Sequence, residues 1–82
     1  MSEFNEGLDF FSAGNKARTE GKHIDKAEWV DLREKQPESN NPLYFFFDSE
    51  EGLKIHYTNG EEYKWTPSTK QEIDVDYFVR VE

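Results

Sequence analysis

Cysteine is absent from the 82 residues, which excludes disulfide frameworks, thiolate metal sites and a cysteine nucleophile. Positive charge is scarce: 10 Lys and Arg stand against 18 Asp and Glu, leaving a net charge of −8 at pH 7. That is the wrong sign for counterion-driven binding to DNA or RNA, so no direct nucleic-acid partner is expected. Long apolar runs are missing too. The longest is Leu43-Tyr44-Phe45-Phe46-Phe47, far short of the roughly 20 residues that span a bilayer. Residues 1–8 carry Glu3 and Glu6 without an apolar stretch, which does not fit a secretory leader. The expected location is cytoplasmic, with no membrane partner. Large hydrophobic residues are few, since Leu, Ile, Val and Phe together make up 18 of the 82, close to the level at which a highly charged chain stays unfolded.

What is abundant is aromatic. Seven Phe, four Tyr and two Trp each bury roughly 150–250 Å², enough to build one small core in a single domain over residues 1–82. A domain of this size is marginal alone, so association with a partner or a second copy is expected.

The pattern along the chain reads as α+β. Phe4, Leu8 and Phe11 follow helical spacing, with Ser2 as a cap, Glu3 and Glu6 in the first turn and Gly14 as the terminator. Trp29-Val30-Asp31-Leu32 reads as a short strand, with a helical turn reaching back to Ile24 as the alternative. Pro37 and Pro42 bound a loop of turn-forming residues. The run at 43–47 has the continuous apolar character of a strand covered on both faces, and Leu53-Lys54-Ile55-His56-Tyr57 alternates.

The turn at Thr58-Asn59-Gly60 sets the register of the next strand. A two-residue loop would oppose Tyr63 to His56 and Trp65 to Lys54. A three-residue loop with Gly60 left-handed pairs Ile55 with Tyr63 and Leu53 with Trp65, joining the apolar faces. Thr66 and Pro67 then introduce a short helix over 68–73. Tyr77, Val79 and Val81 form a last strand. The expected architecture is an N-terminal helix packed on an antiparallel sheet of four to five strands, with a short helix before the C-terminal strand.

Catalytic constellations are not found. There is no phosphate-cradling glycine loop, no Gly-x-Ser-x-Gly elbow and no histidine pair at metal spacing. His23 and His56 read as ordinary surface or half-buried residues. Asp48, Glu50 and Glu51, like Asp74 and Asp76, read as solvated turns rather than cation loops. No catalytic residue, metal or cofactor is expected, and the chain is not read as an enzyme. Recognition remains. Arg18 is either an exposed ion pair with Glu20 or an anion ligand, since its planar fork suits phosphate while aromatic rings suit a base.

Phe4-Asn5-Glu6-Gly7-Leu8, Gly14-Asn15-Lys16-Ala17-Arg18, Tyr63-Lys64-Trp65-Thr66-Pro67-Ser68 and Asp76-Tyr77-Phe78-Val79-Arg80-Val81-Glu82 together resemble the Thoeris anti-defence sponge family of phage and prophage proteins. That family has a Phe-x-x-Ala-Leu helix, a Lys-Val-x-Arg-type segment, a Trp-x-Pro-Ser block and an Asp-Trp-x-Val ending. The resemblance implies a helix on an antiparallel sheet and assembly as a homodimer or homotetramer. It also implies sequestration of a cyclic ADP-ribose isomer or cyclic dinucleotide without cleavage, in an infected bacterial host cell. Carried onto this chain, Arg18 would engage a phosphate, Phe4, Trp65 and Tyr77 would line an interface pocket, and Asp76 would orient a sugar hydroxyl or neighbouring backbone. The family's Trp after the arginine is replaced here by Gly21 and Lys22, and its final Asp-Trp by Asp76-Tyr77; Trp29 is a candidate substitute for the first ring. The charge supports a different reading: an acidic inhibitor that binds a host nucleic-acid-binding enzyme as a DNA mimic. A module that adds a partner strand to a sheet edge is a third.

Overall fold

The computed structural model describes residues 7–81. Its first helix, α1, spans Phe10–Glu20. Asp9 caps it by accepting the Ser12 N–H at 2.7 Å, a bond that holds the Asp9 carboxyl below its ordinary range. Gly21, at φ 68°, ends it by donating its N–H to the Lys16 carbonyl. The expected terminator, Gly14, lies inside the helix. Phe10, Ala13 and Ala17 form the buried stripe, so burying this face against the sheet outweighs the roughly 1 kcal/mol that an interior glycine costs. The expected stripe is displaced accordingly: Leu8 precedes the helix and Phe11 is 71 % exposed. Ser2, Glu3, Phe4 and Glu6 lie outside the described residues.

Strand β1 (Ile24–Lys26) leads directly into helix α2 (Ala27–Lys35). The strand expected at 29–32 is therefore helix. Its turn of helix swings the Trp29 ring into the core against Phe45, Trp65 and Tyr77, and that burial overrides the β-propensity of the segment. No side chain of α2's own leading segment caps it. Asp76 does so from the far end of the chain: its carbonyl accepts the Ala27 N–H at 3.0 Å and its Oδ2 the Glu28 N–H at 3.3 Å.

Strands β2 (Pro42–Asp48), β3 (Gly52–Tyr57) and β4 (Glu62–Lys64), then helix α3 (Thr69–Ile73) and strand β5 (Tyr77–Val79), complete the domain. The sheet is antiparallel throughout, in the order β4-β3-β2-β1-β5. The three-residue loop forms as its sequence requires. Gly60 stands at φ 93°, its N–H donates to the Tyr57 carbonyl, Ile55 faces Tyr63, and Trp65 N–H donates to the Leu53 carbonyl. Helix α3 starts one step later than expected, with Ser68 rather than Thr66 as its cap: Gln71 Oε1 accepts from both the N–H and the hydroxyl of Ser68.

Alternation divides the sheet into two faces. The inner face meets α1 and α2 in a core of Phe10, Ala13, Ala17, Ile24, Trp29, Phe45, Ile55 and Tyr77, with Leu8, Phe47, Leu53, Tyr57, Trp65 and Val79 around it. Within β2 only Phe45 is fully buried; Tyr44 and Phe46 are half-buried on the outer face, so the run at 43–47 is not covered equally on both sides. No helix among the described residues is long and apolar enough to cross a membrane.

Candidate functional site

Where α1 lies across β2 and β3 an open cleft of about 560 Å³ remains, lined by Phe10, Phe11, Gly14, Asn15, Arg18, Phe47 and Leu53. Its origin is local. Gly14 brings no side chain to the helix face, and a Cβ added there would meet nothing within 4 Å. Three phenylalanines and a leucine form the walls. Arg18, one helical turn beyond Gly14, supplies the charge.

Arg18 is exposed. Its Nη2 donates to Asn15 Oδ1 over 3.4 Å, a long contact, and it forms no ion pair among the described residues. The carboxylate available nearby, Glu20, pairs with Lys16 at 3.9 Å instead. Most of the guanidinium fork thus remains open for an incoming acceptor. Arg18 and Asn15 are the polar side chains of the lining, a planar donor fork beside an amide. Such a lining can hold an anionic, partly apolar molecule.

The other residues singled out in the sequence fall elsewhere. Tyr77 is fully buried. Its hydroxyl donates to the Gln71 carbonyl at 2.7 Å, and burial, with Asp74, Asp76 and Glu28 nearby, pushes its pKa well above the ordinary phenol range. Trp65 is half-buried, its ring centroid 4.7 Å from Phe45, 5.7 Å from Trp29 and 6.1 Å from Phe10. Asp76 serves α2, with its second oxygen enclosed and accepting no hydrogen bond among the described residues. Phe4 lies outside those residues. Trp29 is 4 % exposed, a core ring rather than a surface one. Trp65 and Tyr77 stand outside the lining: both rings touch Phe10, and the Trp65 N–H donates to the Leu53 carbonyl.

Two features escaped the sequence reading. Phe47 and Leu53 read as plain core residues, and only their pairing across β2 and β3 sets them side by side under the helix. The outer face carries a ladder that runs from β4 through β3 and β2 to the residues flanking β1 and β5: Glu62 Oε2 2.8 Å from His56 Nδ1, the His56 and His23 rings stacked with Tyr44 at 4.8 and 4.1 Å, and the Arg80 guanidinium over Tyr44 at 5.5 Å. Period-two alternation in the strands was the available signal. It put His56 on the polar face of its strand, but the neighbours came with the register. Beneath the ladder, the buried Asp25 carboxylate accepts from Arg33 at 2.7 Å and Arg80 at 3.3 Å.

No family model matches the chain, and no curated protein or solved structure does either.

Proposed function

We propose that the protein is a non-catalytic binder that sequesters a phosphate-bearing ligand of cyclic-nucleotide type, with Arg18 as the phosphate ligand and the phenylalanine-lined cleft as the seat for the rest of the molecule. The observation that carries the reading is Arg18 itself: an exposed guanidinium, free of ion pairs among the described residues, at an aromatic cleft in a chain of net charge −8. The resemblance supplies the ligand class, cyclic ADP-ribose isomers and cyclic dinucleotides, and an assembly of two or four copies. The 71 % exposed Phe11 on the cleft wall is in keeping with such an assembly. Trp65 and Tyr77 contribute by fixing Phe10 from below, and Asp76 by anchoring α2.

The decoy reading is less well supported, because many carboxylates are occupied within the fold. Glu28 and Asp74 hold lysines, Asp25 holds arginines, Glu62 holds His56, and Asp48 closes a turn on the Glu50 and Glu51 N–H groups.

Isothermal calorimetry with cyclic ADP-ribose isomers and cyclic dinucleotides tests the proposal. The wild type should bind at least one, and the ligand should be recovered chemically unchanged. Arg18→Ala should weaken binding by about 10- to 150-fold, the span expected for a lost charge-assisted hydrogen bond of about 1.5–3 kcal/mol. Absence of binding at high micromolar ligand, or an unaltered affinity in Arg18→Ala, would overturn it.

A further inference from the structure

The two edges of the sheet are treated differently. Strand β5 has Leu8 bridged to its outer side, through Leu8 N–H to the Tyr77 carbonyl and Tyr77 N–H to the Leu8 carbonyl. Among the described residues strand β4 pairs with β3 alone, and its three residues, Glu62, Tyr63 and Lys64, are all exposed.

The backbone pattern of that edge is fixed. Tyr57 N–H donates to the Glu61 carbonyl and Trp65 N–H to the Leu53 carbonyl. Hydrogen-bonded pairs alternate in an antiparallel ladder, so Tyr63 directs its N–H and C=O inward to Ile55. Glu62 and Lys64 direct theirs outward.

The side chains carry a matching imbalance. Lys64 stands opposite Lys54, a like-charge pair. Lys54 has Glu51 at 3.6 Å, whereas Lys64 forms no ion pair among the described residues.

From this we infer that β4 is a self-complementary edge that pairs antiparallel with β4 of a second copy, centred on Tyr63. In that register Glu62 of each copy lies opposite Lys64 of the other, twice by symmetry, and Tyr63 faces Tyr63 on the helix-bearing side. The outward N–H and C=O groups of Glu62 and Lys64 are then the ones that bond across the axis, and the two sheets run on as one. Moving the centre to Glu62 or to Lys64 places like charges against each other, so charge selects the register. A second copy also gives Lys64 the carboxylate that its own chain withholds. This inference stands independently of the ligand cleft.

The paired segment is short, so association is weak and is best read by sedimentation velocity from about 10 µM to about 1 mM protein. The wild type should show a concentration-dependent dimer that weakens with added salt. Glu62→Lys and Lys64→Glu should each raise the dissociation constant at least about tenfold, since each opposes like charges across the axis. The doubly swapped Glu62→Lys/Lys64→Glu protein should recover to within about threefold of wild type. Lys64→Glu is the more informative single change. It leaves the Glu62–His56 contact intact and places a carboxylate opposite Lys54, so the folded monomer should be at least as stable while the dimer is lost. A protein that stays monomeric at about 1 mM, a dimer indifferent to either single change, or a swap that restores nothing would overturn the inference.

Discussion

At the scale of single residues, the tightest steric demand falls on Gly7. A Cβ there would lie 2.2 Å from the Val75 carbonyl oxygen and 3.0 Å from the Asp76 Cα, where backbone rather than a flexible side chain would have to yield. Gly7→Ala should destabilise the fold by about 1–3 kcal/mol, read as a lower urea midpoint at unchanged slope. An unchanged midpoint would refute this close approach. None of it was legible in the sequence, where Gly7 sat inside an expected helix. The constraint comes from residues near the other end of the chain, which the Leu8–Tyr77 bridge and the Phe10–Tyr77 ring contact bring alongside. Arg18 was legible, because an arginine among few cations already posed the choice between ion pair and anion ligand. The walls beside it were not, because Phe47 and Leu53 become neighbours through strand pairing.

At the scale of elements, turns and strands were more legible than helix ends. The alternation of β3 and the Asn59-Gly60 pair carried both the strand and its register, since only one loop length joins the two apolar faces. The ends of α1 were misread because a glycine followed by polar residues looks alike whether it stops a helix or lies within one; the difference is whether its neighbours find a surface to bury against. Ala13 and Ala17 do. Two substitutions separate the alternatives. Gly14→Ala, at an open helical position, should stabilise by about 0.4–1 kcal/mol. Gly21→Ala, at φ 68°, should cost about 1 kcal/mol. Chemical denaturation of both variants checks the pair, and a helix ending at Gly14 would reverse the two signs. Helix α2 was missed for a related reason: its start is held by Asp76, which no reading of adjacent residues reveals.

For the molecule as a whole, the acidic excess is tolerable because some of it is spent on cations inside the fold. Lys26 is fully buried, with its ammonium 5.3 Å from the Tyr77 ring centre and 6.0 Å from that of Trp29. It donates to Glu28 at 2.9 Å and to Asp74, and Lys70 reaches the same two carboxylates at 3.3 Å from solvent. The hydrogen bond from Lys26 is the leading cause that holds both Asp74 and Glu28 below the ordinary carboxylate range. A carboxyl with a depressed folded-state pKa stabilises the fold above its unfolded pKa, and that contribution is lost as pH falls through the folded value. Between neutral pH and about pH 5 stability should therefore be nearly flat, and below about pH 5 it should fall as the unfolded chain takes up protons that the folded one resists. Relief of the −8 self-repulsion acts the other way, but it spreads over exposed groups screened by solvent, whereas Lys26 is fully buried and depends on its two carboxylates. Asp74→Asn tests the argument: it should lower the thermal midpoint at pH 7 and flatten the decline below pH 5, because the variant has already lost part of what acid removes. Circular-dichroism melts of both proteins from about pH 7 to about pH 3 read this directly, and parallel curves would show that Asp74 carries none of the acid sensitivity.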